Sequence, residues 1–535
     1  MAVFDKKIPT KVFLDDTQVL SVTIENAQTV NGHTRYSDFV ALHSIVQSSG
    51  ISIILPPKKL IGNMDKTFIS QRQNELQAYL KTILMNPILA LSLPIKKFLD
   101  PHNYAESLEE LALQHVSMAL RSEMNYELVK PIQDLGWRIR KHYFIIKSKL
   151  IPKVESLLKW VEFGPDKYLD NKDLQNVIQS MLNLNHPHVE KIEFAHCSEK
   201  GCLIVQRFYQ CGTLKDLIYG SKPKLNFLKK YGAPKHTKPL HFNEVSLFGK
   251  QILETLLFFH EKGMPFGHLH LGNILLIDNS IKLLDIENMV LGLPSLYRHF
   301  IAQHKKINTL EAVDVYSFGH VLFEMAFGYP LNESVCDTLP PSCPSLLGSL
   351  LESILSTESC KTGLPSLQEL HQHPFFNLSS KNHTVKINFR LSSTLKQSLK
   401  IAVKNTEKRL QSDQRAIRNQ KKITKMKELL SSDENLNTLK KEKMKRDKNS
   451  GSRELKVDDI HRNGRSPRSN SLTSDSTAAS VGAITPPLPA SKISSPTPPV
   501  SSSSSTINER SALLDSICAF DKSILRHHQS AQVLN

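Results

Sequence analysis

Four side chains that can move a proton or carry a charge, His268, His270, Asp285 and Glu287, fall close together with the amide of Asn273. An imidazole titrates near neutrality, so His268 or His270 can accept a proton. The plain alternative is a pair of hydrogen-bonded structural histidines. A second set, Arg35, Tyr36, Lys58, Lys59 and Arg72, offers phosphate chemistry. Arginine presents a bidentate fork to phosphate oxygens and lysine a point charge. Taken singly, each is as readily a surface residue. A third set lies near the C-terminus. Leu513, Leu514 and Ile517 share one face of a short amphipathic helix over Arg510–Phe520, and Leu525 and Arg526 follow it.

Elements must position these groups. Phe266–Leu276 and Ile281–Leu284 are apolar runs about a short acidic turn, and read as two short strands tightly joined. A long apolar helix, Phe248–His260, precedes them. Ser156–Trp160 reads as a strand carrying Lys159, and 173–179 as the next helix. Ser107–Leu120 has helical spacing and bridges two domains. Earlier, Lys11–Leu14 and Val19–Ile24 alternate like strands. A helix opens at Thr34–Phe39, Leu55–Lys59 is a rigid proline turn, and Phe68–Leu80 is helical. Over 390–448, Leu395, Leu399, Val403 and Leu410 recur at helical spacing among cations, which predicts a basic helix with Lys and Arg on its solvent face. Residues 449–506 are rich in Ser, Pro and Thr and cannot build a core.

The length of 535 residues predicts two or three domains. No apolar run approaches the roughly 18 residues of a membrane span. The N-terminus lacks a signal-peptide core. Seven cysteines without a Cys-x-x-Cys pair argue for a reducing compartment and against structural zinc, hence a cytosolic protein. The net charge of +17 is uneven: 381–450 holds 20 Lys and Arg against 7 Asp and Glu. Nucleic acid, anionic lipid and acidic filaments all suit such a segment, as does plain solvation.

The spacing about His268 resembles the catalytic and metal-binding loops of protein kinases. Asn273 and Asp285 match that family's magnesium ligands, and Lys159 its strand lysine. His268 stands where the catalytic Asp belongs, His270 replaces the loop lysine and Glu287 the glycine after the metal Asp. The glycine-rich loop keeps one glycine, Gly136, beside bulky Trp137 and Arg138. The helix at 173–179 has no Glu to pair with Lys159. Asp314-Val315-Tyr316-Ser317-Phe318-Gly319 and Pro365–Phe376 match C-lobe motifs. The resemblance implies that Asp314 hydrogen-bonds the catalytic loop and that Glu311 pairs with an arginine. Residues that build the C-lobe are kept, while those that handle phosphate mostly are not: a pseudokinase, with vestigial ATP and magnesium binding at Lys159, Asn273 and Asp285.

Arg35-Tyr36-Ser37-Asp38-Phe39, the Pro56-Pro57 loop and the helical Arg72 resemble the PX domain. That implies Arg35 on the 3-phosphate, Tyr36 on the inositol ring, Lys58 or Lys59 on the 1-phosphate and Arg72 on ring hydroxyls. The second strand and the start of the third are missing, which predicts unpaired backbone groups on the first strand and weakened lipid binding. The tail resembles a WASP-homology-2 motif, implying actin binding through Leu513, Leu514, Ile517, Leu525 and Arg526. His527 and His528 depart from its pattern. As a whole the chain resembles the PX-domain-containing serine/threonine kinase-like proteins, relatives of the slowpoke-channel-binding proteins of insects.

The expectation is a multidomain α+β protein: a truncated PX domain (antiparallel sheet plus helices) at 1–103, a linker helix at 104–124 and a two-lobed kinase-like domain at 125–377. A basic helical segment (378–450), a disordered linker (451–506) and an actin-binding motif (507–530) follow. The expected function is a phosphoinositide-binding pseudokinase adaptor. It sits peripherally on endosomal or plasma membrane, ties membrane-protein cargo to actin, and has no required cofactor and no nucleic-acid partner. A weak serine/threonine kinase and an actin regulator with a scaffold middle are the alternatives.

Overall fold

The computed structural model describes residues 22, 24, 35–58, 65–123, 125–150, 153–378, 387 and 389–449, with side chains of the last helix described to 426 and at 429. Lys59 and the actin-motif residues Leu513, Leu514, Ile517, Leu525 and Arg526 lie outside them.

Helix α1 (Tyr36–Ser48) buries Phe39, Leu42 and Val46, spaced three and four apart on one face. The Asp38 carboxylate accepts the Arg35 N–H at 2.7 Å and fixes the first turn. Helix α2 (Lys66–Met85) starts on Asp65, which accepts from the Thr67 N–H, and buries Leu76, Tyr79, Leu80 and Ile83. With short α3 (Pro87–Ala90) and α4 (Leu93–Leu99) these close one core, where Phe98 stands edge-on to Phe39. Of the sheet expected before α1, only Val22 and Ile24 are described. Three of their backbone groups are paired with side chains of α2. Gln77 accepts the Ile24 N–H at 2.7 Å and donates to the Val22 carbonyl at 2.7 Å, while Gln73 donates to the Ile24 carbonyl. A side-chain amide carries both a donor and an acceptor, so two glutamines of α2 can pair with this backbone as a strand would.

Helix α5 (Leu108–Ser122) covers the stretch read as a linker helix and precedes the kinase-like part. It packs on a five-stranded antiparallel sheet ordered β1-β2-β3-β5-β4: β1 (Tyr126–Ile132), β2 (Lys141–Ser148), β3 (Glu155–Glu162), β4 (Phe194–Cys197) and β5 (Gly201–Arg207). Strand side chains alternate between faces. On β3, Leu158 and Trp160 therefore meet Ala112 and Val116 of α5, and Lys159 turns to the cleft. Helix α6 (Asn171–Leu182), capped by Asp170, adds Leu174, Val177, Ile178 and Met181 to the main core.

The helical lobe holds α7 (Leu214–Ile218), α8 (Phe227–Tyr231), α9 (Phe242–Glu261), α10 (Arg298–Ile301), α11 (Leu310–Phe327), α12 (Ser345–Leu355), α13 (Thr357–Thr362) and α14 (Leu367–His371). Strands β6 (Ile274–Ile277) and β7 (Ser280–Leu283) form the expected hairpin. Its turn residues Asp278 and Asn279 both have positive φ, as a two-residue hairpin turn of matching twist requires.

Helix α15 (Ser393–Asn449) is the basic helix. Its first turns are not solvated on all sides. Leu395, Leu399, Ala402 and Leu410 are buried in the main core. The Gln414 amide donates to the His304 and Ile307 carbonyls, each at 2.8 Å. Arg298 meets Asp413 at 2.8 Å, and Arg409 meets Asp166, between β3 and α6, at 3.1 Å. Helix α15 thus holds both lobes.

Candidate functional site

Asp314, on the buried face of α11, organises the catalytic-type loop. Its carboxylate accepts the backbone N–H groups of Phe266 (3.0 Å) and Gly267 (2.6 Å) and meets the His260 imidazole at 2.7 Å. This is the scaffold role the family resemblance implied. Burial opposes charge on His260, but Asp314 outweighs it and raises its pKa. The expectation for Glu311 is corrected: it accepts the Leu367 N–H at 3.2 Å, and no arginine pairs with it among the described ion pairs.

The cleft is a closed charge set. Lys159 Nζ lies 2.6 Å from Asp285 Oδ1, 2.9 Å from Glu287 Oε1 and 2.6 Å from Gln206 Oε1. Lys141 Nζ lies 2.6 Å from the other Asp285 oxygen. Two ammonium groups and two carboxylates balance with little water: the Lys159 side chain is 2% exposed and that of Glu287 0%. No glutamate of α6 pairs with Lys159; Glu287, at the position of the family's glycine, does so instead. Burial alone would raise the pKa of Asp285, but Lys141 and Lys159 hold it well below the usual carboxylate range. Burial likewise opposes Lys159, and the two carboxylates overcome it and raise its pKa. Lys141 is pushed down to about 8, chiefly by burial. Asp285 itself has φ +61°, a left-handed conformation that costs a non-glycine residue about 1–3 kcal/mol.

The two histidines are neutral. His268 is lowered well below its ordinary value and His270 to about 3, first by burial and then by Arg138. Arg138 lies 3.2 Å from His268 Nδ1 and also donates to the Pro294 carbonyl at 2.7 Å. A guanidinium only donates, so Nδ1 of His268 is an acceptor already in use. The Gly272 N–H donates to His270 Nδ1 at 3.1 Å. The Trp137 indole N–H faces Nε2 from 3.4 Å, and the Arg138 guanidinium stacks over that indole. A neutral imidazole has one acceptor nitrogen, so the nearer contact is the full hydrogen bond. The loop that cradles phosphates in a kinase here lowers Trp137 and Arg138 onto the catalytic-type loop. The remaining cavity, about 130 Å³, is lined by Leu157, Phe208, Leu275, Leu284 and Tyr231, among others. Small-molecule sites commonly reach roughly 300–1,000 Å³.

Asn273 donates to the His268 carbonyl at 3.0 Å. Both Asp285 oxygens lie on ammonium groups, so a magnesium ion at Asn273 and Asp285 would have to share that carboxylate with Lys141 and Lys159. Lys141, Gln206 and the pairing of Glu287 were not anticipated. The only signal was alternation, which puts Lys141 on the same face of β2 as Tyr143.

The PX residues are partly assembled. Tyr36 donates its hydroxyl to the Pro56 carbonyl, and Arg72 donates to the carbonyls of Pro56 (3.2 Å) and Pro57 (2.6 Å). Arg72 also lies 4.9 Å from the centres of the Tyr36 and Phe68 rings. Arg35 and Lys58 are exposed.

The PX domain family matches residues 22–102. A PX domain-containing protein kinase-like protein of Mus musculus is 45% identical over 444 residues, covering 79% of this chain and 76% of its own length. The chain belongs to this family. More distant relatives of the family include slob1 of Dictyostelium discoideum, named a probable inactive serine/threonine-protein kinase. It is 29% identical over 55% of this chain and 54% of its own. The Slowpoke-binding protein of Drosophila melanogaster is 30% identical over 39% of this chain and 42% of its own. No described helix is long and apolar enough to cross a membrane.

Proposed function

We propose that this protein is a phosphoinositide-binding adaptor whose kinase-like domain is a non-catalytic scaffold for membrane-protein cargo. The observation that carries the scaffold reading is the clamp on Asp285. The carboxylate that would hold a metal is neutralised by Lys141 and Lys159 at 2.6 Å each. The neutral, donor-bound His268 is a poor proton acceptor at the base position. Trp137 and Arg138 line the cleft where the glycine-rich loop of a kinase covers phosphates, and they reach the catalytic-type loop at His270 and His268.

Membrane recruitment rests on the family match over 22–102 and on the grouping of Tyr36 and Arg72 against the proline loop, with Arg35 and Lys58 exposed. Cargo binding is supported by the likeness to the Slowpoke-binding protein of Drosophila melanogaster. The sequence of 510–526 supports a further link to actin.

Sedimentation with phosphatidylcholine vesicles, with and without phosphatidylinositol 3-phosphate, tests the lipid half. The full chain is expected to sediment only with the phosphoinositide. Arg35→Ala is expected to weaken binding roughly 10- to 100-fold, the loss of a charge-assisted hydrogen bond of about 1.5–3 kcal/mol. Equal sedimentation on both vesicles, or no effect of Arg35→Ala, would sink this half.

A further inference from the structure

The β4–β5 hairpin pairs Cys197 directly with Cys202. Their sulfurs are 2.6 Å apart, and both are free thiols. Directly opposed strand residues hold their Cβ atoms about 4.5–5.5 Å apart, and less in the closer pair type. A disulfide needs about 3.5–4.5 Å. The backbone register therefore already presents these residues at close to bonding geometry, with only Ser198, Glu199, Lys200 and Gly201 between them. The two thiols differ in surroundings. Cys197 is part-exposed, and Cys202 is buried on the cleft-facing side of β5.

We propose that Cys197 and Cys202 form a peroxide-reactive dithiol, which oxidation converts into an intrachain disulfide across the β4–β5 hairpin. Cys197 is the attacking sulfur. Its thiolate takes one oxygen of hydrogen peroxide, the O–O bond breaks, and the departing hydroxide gains a proton to leave as water. The sulfenic acid formed is attacked by the Cys202 sulfur. The S–O bond breaks, the S–S bond forms, and the Cys202 proton leaves with the hydroxyl as a second water. Two thiols lose two electrons in total and the peroxide gains two. The electrostatics support the order of attack. The hydrogen bond from Cys202 lowers the pKa of Cys197 against its burial. Burial, then the neighbouring sulfur, raises that of Cys202. Cys202 shares β5, and by alternation the same face of it, with Gln206, which holds Lys159.

The sequence makes the test direct. Trypsin cuts after Lys191, Lys200 and Arg207, so Cys197 and Cys202 fall in separate peptides, 192–200 and 201–207. The full chain is treated with hydrogen peroxide, alkylated, digested and analysed by mass spectrometry. The expected product is a linked pair of these peptides, lighter than their sum by two hydrogens and separated again by dithiothreitol. In Cys202→Ser the link is absent and peptide 192–200 carries a dimedone-trapped sulfenic acid. In Cys197→Ser, Cys202 is alkylated as before. The proposal is overturned if both peptides emerge alkylated and unlinked after peroxide. It is also overturned if Cys202 oxidises as readily in Cys197→Ser as in the parent chain.

Discussion

Replacing Glu287 by Gln keeps the shape of the side chain and removes its charge. Glu287 and Lys159 are 2.9 Å apart and 0% and 2% exposed. At an effective dielectric near 20 their attraction is about 6 kcal/mol. Much of that is offset by desolvation, and breaking one partner of a buried pair costs about 3–5 kcal/mol. The kinase-like part spans 125–377, a size at which each kcal/mol moves the melting temperature by about 2–4 °C. Glu287→Gln is therefore expected to lower it by roughly 6–20 °C in a thermal unfolding scan. Lys159→Met should cost a similar amount, because Asp285 and Glu287 are then left with Lys141 alone. The double variant decides whether the pair acts as a unit. If it does, the combined loss falls short of the sum by about 1–3 kcal/mol. Losses that add to within about 0.5 kcal/mol, or a melting point unchanged in Glu287→Gln, would refute the closed charge set.

Other expectations follow from the same contacts. His142, His186 and His299 are lowered to about 4 and His270 and His320 to about 3, each chiefly by burial. Below about pH 6.5 the unfolded chain takes up protons that the fold refuses, so each group removes up to about 1.4 kcal/mol of stability per pH unit as pH falls. Circular dichroism against pH should show unfolding above the carboxylate range, and a chain still folded at pH 4 contradicts this. His260 runs the other way, its raised pKa giving stability that is lost as pH rises through that value, so His260→Asn should flatten stability between neutral and alkaline pH. Leu399→Ala in α15 should cost about 2–5 kcal/mol by denaturant unfolding, since Leu399 is 0% exposed in the core. A loss under 1 kcal/mol would mean that α15 is only an appendage. Saturating Mg·ATP should move the melting point by less than 1 °C. A site filled at 100 times its Kd would gain about 2.7 kcal/mol, or roughly 5–11 °C.

The helical lobe was the most legible part. Its long apolar helices are periodic, and a dense motif such as Asp314–Gly319 fixes its own hydrogen bonds to Phe266 and Gly267. Local signals also gave β3 with Lys159, and the β6–β7 hairpin. What stayed hidden were partners distant in sequence. Lys159 and Glu287 are 128 residues apart, so the loss of a Glu from α6 was visible and its replacement was not. Gln73 and Gln77 look like solvent-facing helix residues until they meet the backbone of Val22 and Ile24. In α15 the apolar spacing was readable, but the charge around it suggested solvent, and only the fold shows Arg409 and Asp413 paired with Asp166 and Arg298.

In this cleft Lys141, Lys159, Asp285 and Glu287 hold one another where a kinase holds Mg·ATP. The direct measurement is a single turnover, with purified full chain in excess over γ-labelled ATP and magnesium, followed for label on protein and for free phosphate. No transfer is expected above that of an Asp285→Ala control. Label transferred by the parent chain and abolished by Asp285→Ala would contradict it.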